Sequence, residues 1–428
     1  MVTFDGVDAP GPARYDKVGV IKQGPAKADH VLVLVPGTSA SAVYFRPLAG
    51  AIVRRLRGWQ VWSVERRENR LEDHSKLNEA KADRASVQEL FDYYLGWLGN
   101  PNPPAEHFRP VADADVPFAR RWGMAVAVGD LRRVVTAARR GGRTVVLGGH
   151  SLGGTITTAY ATWDFRGRAG AEQLDGLVFI DGAAGGREVP SRAEAEESLE
   201  ALEASSPFLD LTGTGLPWSA GVFNLVGATA ALKEPTARSV FTDWPFLPAN
   251  LRPPVEATNR GGYGHAFDTA TSPDSLRLIQ VHIGRLAESG DPRDWVNGEL
   301  GTVERVARMF SGLGVRGRDG TAWYHPLRLT IDGRAINNGK RNPAQAVLGD
   351  RAFHGDEVKL PMYAFETELG DDRVIRAVRQ LAGQSGVPRR ERVFVDRSRS
   401  YAHVDPLAAS PGRNAFLKTV VPFLRRIG

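Results

Sequence analysis

The chain has 428 residues, 42% hydrophobic and 24% charged, with no cysteine and a formal charge of +6. That length suits a core of about 250 residues carrying a large insertion, in a globular composition that can bury a sizeable core. The missing thiols exclude disulfides, cysteine nucleophiles and thiolate metal sites.

The positive charge is dispersed. Arg-Arg pairs recur at 54–55, 66–67, 120–121, 132–133, 139–140, 389–390 and 425–426, as solvated helix faces have them. Nucleic-acid binding needs a basic stripe with interleaved aromatics, and none is present. No apolar run approaches the roughly 18 residues of a membrane span. The N-terminal segment has neither the basic nor the apolar region of a secretory signal, so a cytoplasmic location is expected unless a leader was trimmed.

Strand-like and helix-like signals alternate along the first part, as in βαβ units. Tyr15–Lys22 alternates like an outer, half-exposed strand. Val31–Val35 is continuously apolar, as strands buried on both faces are, and ends in Pro36-Gly37-Thr38. A helix near Tyr44–Arg57 and a strand at Trp59–Val64 follow, then an irregular excursion over 66–122. Met124, Val128, Leu131, Val135 and Ala138 are spaced to share one helix face. Two further buried strands are expected, one running into Gly149-His150-Ser151-Leu152-Gly153 and one at Leu177–Ile180 that ends in Asp181-Gly182.

From about 187 the texture changes. Ser191 and Glu194 form a capping-box pattern opening an acidic helix, and segments rich in Pro, Trp and Phe follow. Asn259–Gly264 reads as a flexible stretch suited to a hinge. Strand character returns at Leu360–Phe365, then a helix near Arg373–Leu381 and a strand at Arg392–Val395. The expected organisation is a hydrolase core in two parts, 1–186 and 356–428, with a mainly helical cap over 187–355.

The chemistry concentrates at Ser151. A serine hydroxyl is a poor nucleophile unless a sharp turn lifts it towards a base, and G-x-S-x-G between an apolar strand and an unbroken helix provides that turn. The general base is expected to be His403, the only histidine after position 358, in the loop Tyr401–Leu407 beyond the last strand. His150 is expected to point the opposite way and so to pack or shape the pocket, while His265 and His325 are at best pocket-lining. Two backbone N–H groups must face the developing oxyanion. Leu152, directly after the nucleophile, and Thr38, in the turn after the most apolar strand, are the candidates. Trp218, Phe223, Leu225, Val226, Trp244 and Phe246 could line a ligand site or form the cap's own core. Gly213-Thr214-Gly215 lacks the preceding strand and following Lys-Ser/Thr of a phosphate loop, and His107 with Asp113 and Asp115 lacks metal-ligand spacing.

Through Val31–Thr38, Gly149–Gly153, Gly176–Gly182 and Tyr401–Leu407, the chain resembles the α/β-hydrolase superfamily, serine esterases and lipases in particular, over roughly 13–186 and 356–428. WQVWSVERRENRLED at 59–73 is similar to the segment where the family's fourth strand ends. The resemblance implies a mostly parallel sheet flanked by helices, a cap between the sixth and seventh core strands, and a Ser, acid, His order along the chain. It also implies a hydrolase of small-molecule or lipid-like esters that needs no cofactor or metal. Acyl transfer, or thioester, amide or peptide cleavage, would use the same machinery, and a non-catalytic binding protein could keep the fold. The acid stays open. Most members place it in a turn after the seventh strand, where Glu366, Glu368, Asp371 and Asp372 fall. Others place it at the preceding strand end, which is Asp181.

Overall fold

A computed structural model describes residues 1–186 and 188–428; Arg187, where the cap was expected to begin, lies outside the described residues. The main sheet has eight strands: β1 (Val2–Asp5), β2 (Lys17–Gln23), β3 (His30–Val35), β4 (Trp59–Glu65), β5 (Thr144–His150), β6 (Gly176–Ile180), β9 (Met362–Glu366) and β10 (Arg392–Asp396). They lie in the order β1-β2-β4-β3-β5-β6-β9-β10. β1–β2 and β2–β4 are antiparallel, and all other pairs are parallel. This is the sheet that the α/β-hydrolase resemblance implies.

The apolar runs in the sequence are explained by layers on both faces. Along β3, β5, β6 and β9, alternate side chains enter opposite cores. Leu32, Leu34, Val146, Val178, Ile180, Tyr363 and Phe365 meet the helices Arg46–Val53 and Ala415–Ile427. Val31, Val33, Val145, Leu147, Leu177, Phe179 and Met362 meet Met124–Ala138, Leu152–Thr162 and Arg373–Gln384. The expected outer strand begins at Lys17 instead of Tyr15 and is not outermost, because β1 covers it. β1 leaves no periodic signal: it is four residues long and mostly solvated.

The insertion between β6 and β9 holds six α-helices among the described residues, from Arg192–Glu203 to Pro343–Leu348, and a small hairpin of β7 (Gly284–Leu286) and β8 (Trp295–Asn297). The capping box at Ser191 forms. Asn259–Gly264 is not a hinge: Thr258 caps a buried helix, Asn259–Phe267, and Trp295 packs where a Cβ on Gly264 would project. The insertion also shares its core with the sheet. Ala228, Phe267, Val306 and Phe310 pack with one sheet face, and Leu329 and Ile336 with the other. Nor is 66–122 wholly irregular: it carries the helices Ser75–Lys81 and Val87–Phe91. Its Tyr94, Phe108 and Trp122 pack with Trp218, Leu225, Val226 and Trp323 in a third apolar cluster.

Candidate active site

Ser151 sits between β5 and the helix Leu152–Thr162 with φ 57° and ψ −126°, a left-handed conformation disfavoured for a residue with a Cβ. The turn closes only because its flanks lack side chains. A Cβ on Gly149 would come 2.0 Å from the Gly153 carbonyl oxygen, and one on Gly153 would come 2.0 Å from that of Val35. The second contact presses the start of the helix onto the end of β3, which brings the Pro36-Gly37-Thr38 turn beside Ser151.

His403 lies in the same pocket as Ser151. Its Nδ1 is 2.6 Å from Asp181 Oδ2, and both side chains are almost fully buried. Asp181 follows β6 with φ 44° and also accepts hydrogen bonds from the Thr367 amide at 2.7 Å and the Thr367 hydroxyl. Burial pushes its carboxyl up, but the His403 and Thr367 contacts outweigh that and hold it below the usual carboxylate value.

The other acid candidates go elsewhere. Glu366 is not brought to His403. Its carboxylate accepts N–H bonds from Val374 at 2.7 Å and Ile375 at 3.3 Å, at the start of the helix Arg373–Gln384, where the exposed amides favour negative charge. Glu368 pairs with Arg277 and Asp372 with Arg376, both at the surface, and Asp371 occupies a left-handed turn position.

His150 does not point away. It lines the pocket and packs on the His403 ring, with centroids 4.4 Å apart. Its Nε2 is 2.9 Å from the His403 carbonyl oxygen and must donate to it. Nδ1 is therefore the acceptor, and the Tyr44 hydroxyl at 3.1 Å donates to it while accepting from the Gly37 amide. Burial and the neighbouring His403 lower its pKa to about 3, so His150 stays neutral.

Among the described residues no hydrogen bond engages the backbone N–H of Thr38 or of Leu152. The Thr38 loop is held from behind by Arg66, which the sequence placed in the charged segment after β4 and, with Arg67, among the solvated arginine pairs; both are buried instead. The Arg66 guanidinium donates to the carbonyls of Pro36 at 2.8 Å, Gly37 at 3.1 Å and Ala40 at 3.3 Å, and pairs with Glu68. His325 does not line the pocket; it sits behind the same loop, near the Ser39 amide and Arg66. His265 is buried within its own helix and lies outside the pocket.

The pocket is a cavity of about 120 Å3 whose apolar wall comes largely from the insertion, through Leu211, Ala220, Leu276, Leu278, Ile279 and Phe310. None of the six aromatic and aliphatic residues named from sequence lines it. Larger clefts of about 280 and 430 Å3 open elsewhere and contain no candidate catalytic residue. The Gly213–Gly215 loop is already occupied by an anion of the chain itself, since Asp210 accepts the amides of Thr212, Gly213 and Gly215. His107 turns its Nδ1 to the Pro104 carbonyl, away from metal chemistry. One set of three side chains among the described residues, Glu72, His74 and Asp319, converges closely enough to share a metal ion, and it lies outside this pocket.

No protein-family model matches the sequence, and no curated protein is similar enough to count as a relative. Solved structures are similar in fold. A candidate lipase from Sulfolobus solfataricus aligns with a TM-score of 0.51 and 14% identity, over 99% of this chain and 93% of that one. An epoxide hydrolase from an endophytic Streptomyces aligns at 0.44 and 14%, over 99% and 95%. An esterase from Thermogutta terrifontis aligns at 0.41 and 12%, over 100% and 98%. The chain has the α/β-hydrolase fold.

Proposed function

We propose that this α/β-hydrolase-fold chain is a serine hydrolase that cleaves carboxylic esters through an acyl-enzyme. The observation that carries the reading is the joint placement of Ser151 on its strained turn and of His403, already bonded to buried Asp181, in one pocket. Ser151 Oγ attacks the acyl carbon while His403 Nε2 takes its proton. The N–H groups of Thr38 and Leu152 stabilise the tetrahedral oxyanion. His403 then gives the proton to the departing alkoxide. Water, activated by the same imidazole, releases the acid and frees Ser151. Asp181 fixes the tautomer with the proton on Nδ1 and stabilises the imidazolium. A serine at this turn argues against dehalogenase chemistry, which the fold runs from an aspartate.

In this reading, 1–186 and 356–428 form the catalytic core and 187–355 the cap that shapes its pocket. A cavity of roughly 150 Å3 accommodates a benzene ring, so the apolar space beside Ser151 favours a compact aliphatic or aromatic acyl group over a long chain. The test is fluorophosphonate labelling with peptide mapping, then a panel of p-nitrophenyl esters graded by acyl length. Labelling at Ser151 is expected, with rates falling from short or phenylacetyl esters to long ones. Ser151→Ala should lose both labelling and turnover, roughly 10⁴-fold or more in kcat, with an unchanged melting temperature. Full activity in that variant sinks the reading.

A further inference from the structure

We propose that Glu72, His74 and Asp319 form a binding site for one divalent transition-metal ion, zinc by preference, that fastens the insertion to the segment following β4. The three donor atoms lie within 4.8 Å of one another. His74 Nε2 is 2.9 Å from Asp319 Oδ2 and 3.3 Å from Glu72 Oε2. Zinc bonds of about 2.0–2.2 Å to nitrogen and oxygen, arranged as a tetrahedron, separate ligand atoms by about 3.3–3.6 Å. The ion therefore fits with small side-chain adjustments, and three protein ligands leave one position for water.

A histidine and two carboxylates could instead share a proton, so the partners of each oxygen matter. Glu72 Oε2 is the telling atom. The side chain is 1% exposed, yet this oxygen accepts no hydrogen bond. Its sister oxygen is satisfied by the Trp323 amide at 2.9 Å and Asn69 at 3.3 Å, which fixes Oε2 facing His74. The proton on His74 Nε2 goes to Asp319, and one N–H cannot serve both carboxylates well. A buried acceptor without a donor is costly, and a cation between the three groups removes that cost.

The surrounding charge agrees. Arg318 pairs with Glu65 at 2.9 Å, not with Glu72 or Asp319, and Lys81 turns its ammonium to the carbonyls of Val315 and Arg318. Arg318 acts on Glu72, and Lys81 on Asp319, only through charge at longer range, and the side chain in direct contact with both carboxylates is the His74 imidazole. The supporting contacts are those a metal ligand needs to hold its aim: Trp323 Nε1 donates to Asp319 Oδ2 at 3.1 Å, and the Thr321 amide donates to Oδ1 at 2.7 Å.

The position gives the ion a structural task. The residues next to Asp319 pair with the loop leading from Thr38: Ser41 N–H bonds Gly320 O at 3.2 Å, and Ala322 N–H bonds Ser39 O at 2.9 Å. Thr321 also lines the Ser151 pocket. An ion at this place would brace the wall of the pocket without touching substrate. The site stands independently of the reading of Ser151, because its test reads metal and not turnover.

The test uses the full chain, stripped with a chelator and titrated with Zn2+ against a chromophoric competitor, with melting temperature followed in parallel. One equivalent per chain is expected, with a melting temperature that climbs as zinc is added. Glu72→Gln, which keeps the shape, and His74→Gln should each weaken zinc binding roughly tenfold or more, the lower end expected for disturbing even a supporting contact. Cobalt(II) bound to the parent chain reads the ligand set without any substitution, so a variant that fails to fold leaves the test intact. The intense visible bands of a four-coordinate ion are expected. A stripped parent that takes up no zinc, variants that bind it as tightly as the parent, or a cobalt spectrum like that of the aqueous ion each overturn the site.

Discussion

The ends of β6 and β9 lie side by side, and each delivers a buried carboxylate to the same corner of the molecule. Ile180 pairs with Phe365, so Asp181 and Glu366 follow in adjacent register. A Cβ on Gly370 would come 2.6 Å from Asp181 Oδ1 and 2.8 Å from Glu366 Oε1, so only a hydrogen there leaves room for both. Their surroundings divide them. Asp181 meets an imidazole and Thr367; Glu366 meets two amides of a helix N-terminus. Proximity to the site is shared. The donors each carboxylate meets assign one to His403 and the other to holding the helix in place.

The sharpest way to break that contrast is a pair of isosteric substitutions. Asp181→Asn should leave folding largely intact and lower kcat by roughly 10⁴-fold, the order seen when a serine triad loses the carboxylate that sets its tautomer. Glu366→Gln should do the reverse. It keeps kcat within a fewfold of the parent but destabilises by about 1–2 kcal/mol, through weaker acceptance of the Val374 and Ile375 amides, read as a lower midpoint in urea. If Glu366→Gln loses the rate and Asp181→Asn does not, the assignment is reversed. A smaller effect is expected at Thr367, which donates to Asp181 from both its amide and its hydroxyl. Thr367→Val removes only the hydroxyl, so steady-state kinetics should show a loss in kcat well short of that of Asp181→Asn.

The same contrast explains how far the sequence could be read. Features set within a few residues were legible. The turn at Ser151 follows from its glycines and flanking strand, the helix Met124–Ala138 from its period, and the capping box from Ser191 and Glu194. His403 stood out because its neighbourhood holds no other histidine. The choice between Asp181 and Glu366 was not legible, since both end apolar strands and only the amides of a later helix distinguish them. Nor was the pocket wall: Leu211, Leu276 and Ile279 come from segments without regular period, whereas the conspicuous Trp218 and Leu225 pack into the apolar cluster that the insertion shares with 66–122. Arg66 carried only the signals of a charged run and of an arginine pair, which read as solvated. Its three carbonyl partners depend on the path of a loop that starts 30 residues earlier in the chain.

A second histidine–carboxylate pair gives the mildest test, because it repeats the His403–Asp181 contact outside the pocket. His282 Nδ1 is 2.6 Å from Asp405 Oδ2, and Asp405 also accepts the amides of His282 and Ala402, tying the insertion to the loop that carries His403. The hydrogen bond that His282 donates to Asp405 raises its pKa above the ordinary value; burial opposes this, and the charges of Asp405, Glu299 and Asp268 add attraction. A raised histidine value means the folded state binds the proton more tightly than the unfolded chain. The stabilisation is therefore complete below the unfolded value of about 6.5 and fades as pH rises through the folded one. His282→Gln should lower the melting temperature more at about pH 5.5 than at about pH 9, by a small amount because the imidazole is partly solvated. Its kcat should change little at either pH, since the amides of His282 and Ala402 still anchor Asp405. A gap between variant and parent that widens towards alkaline pH contradicts this, and assigns the joint between insertion and loop to packing and not to the charge on His282.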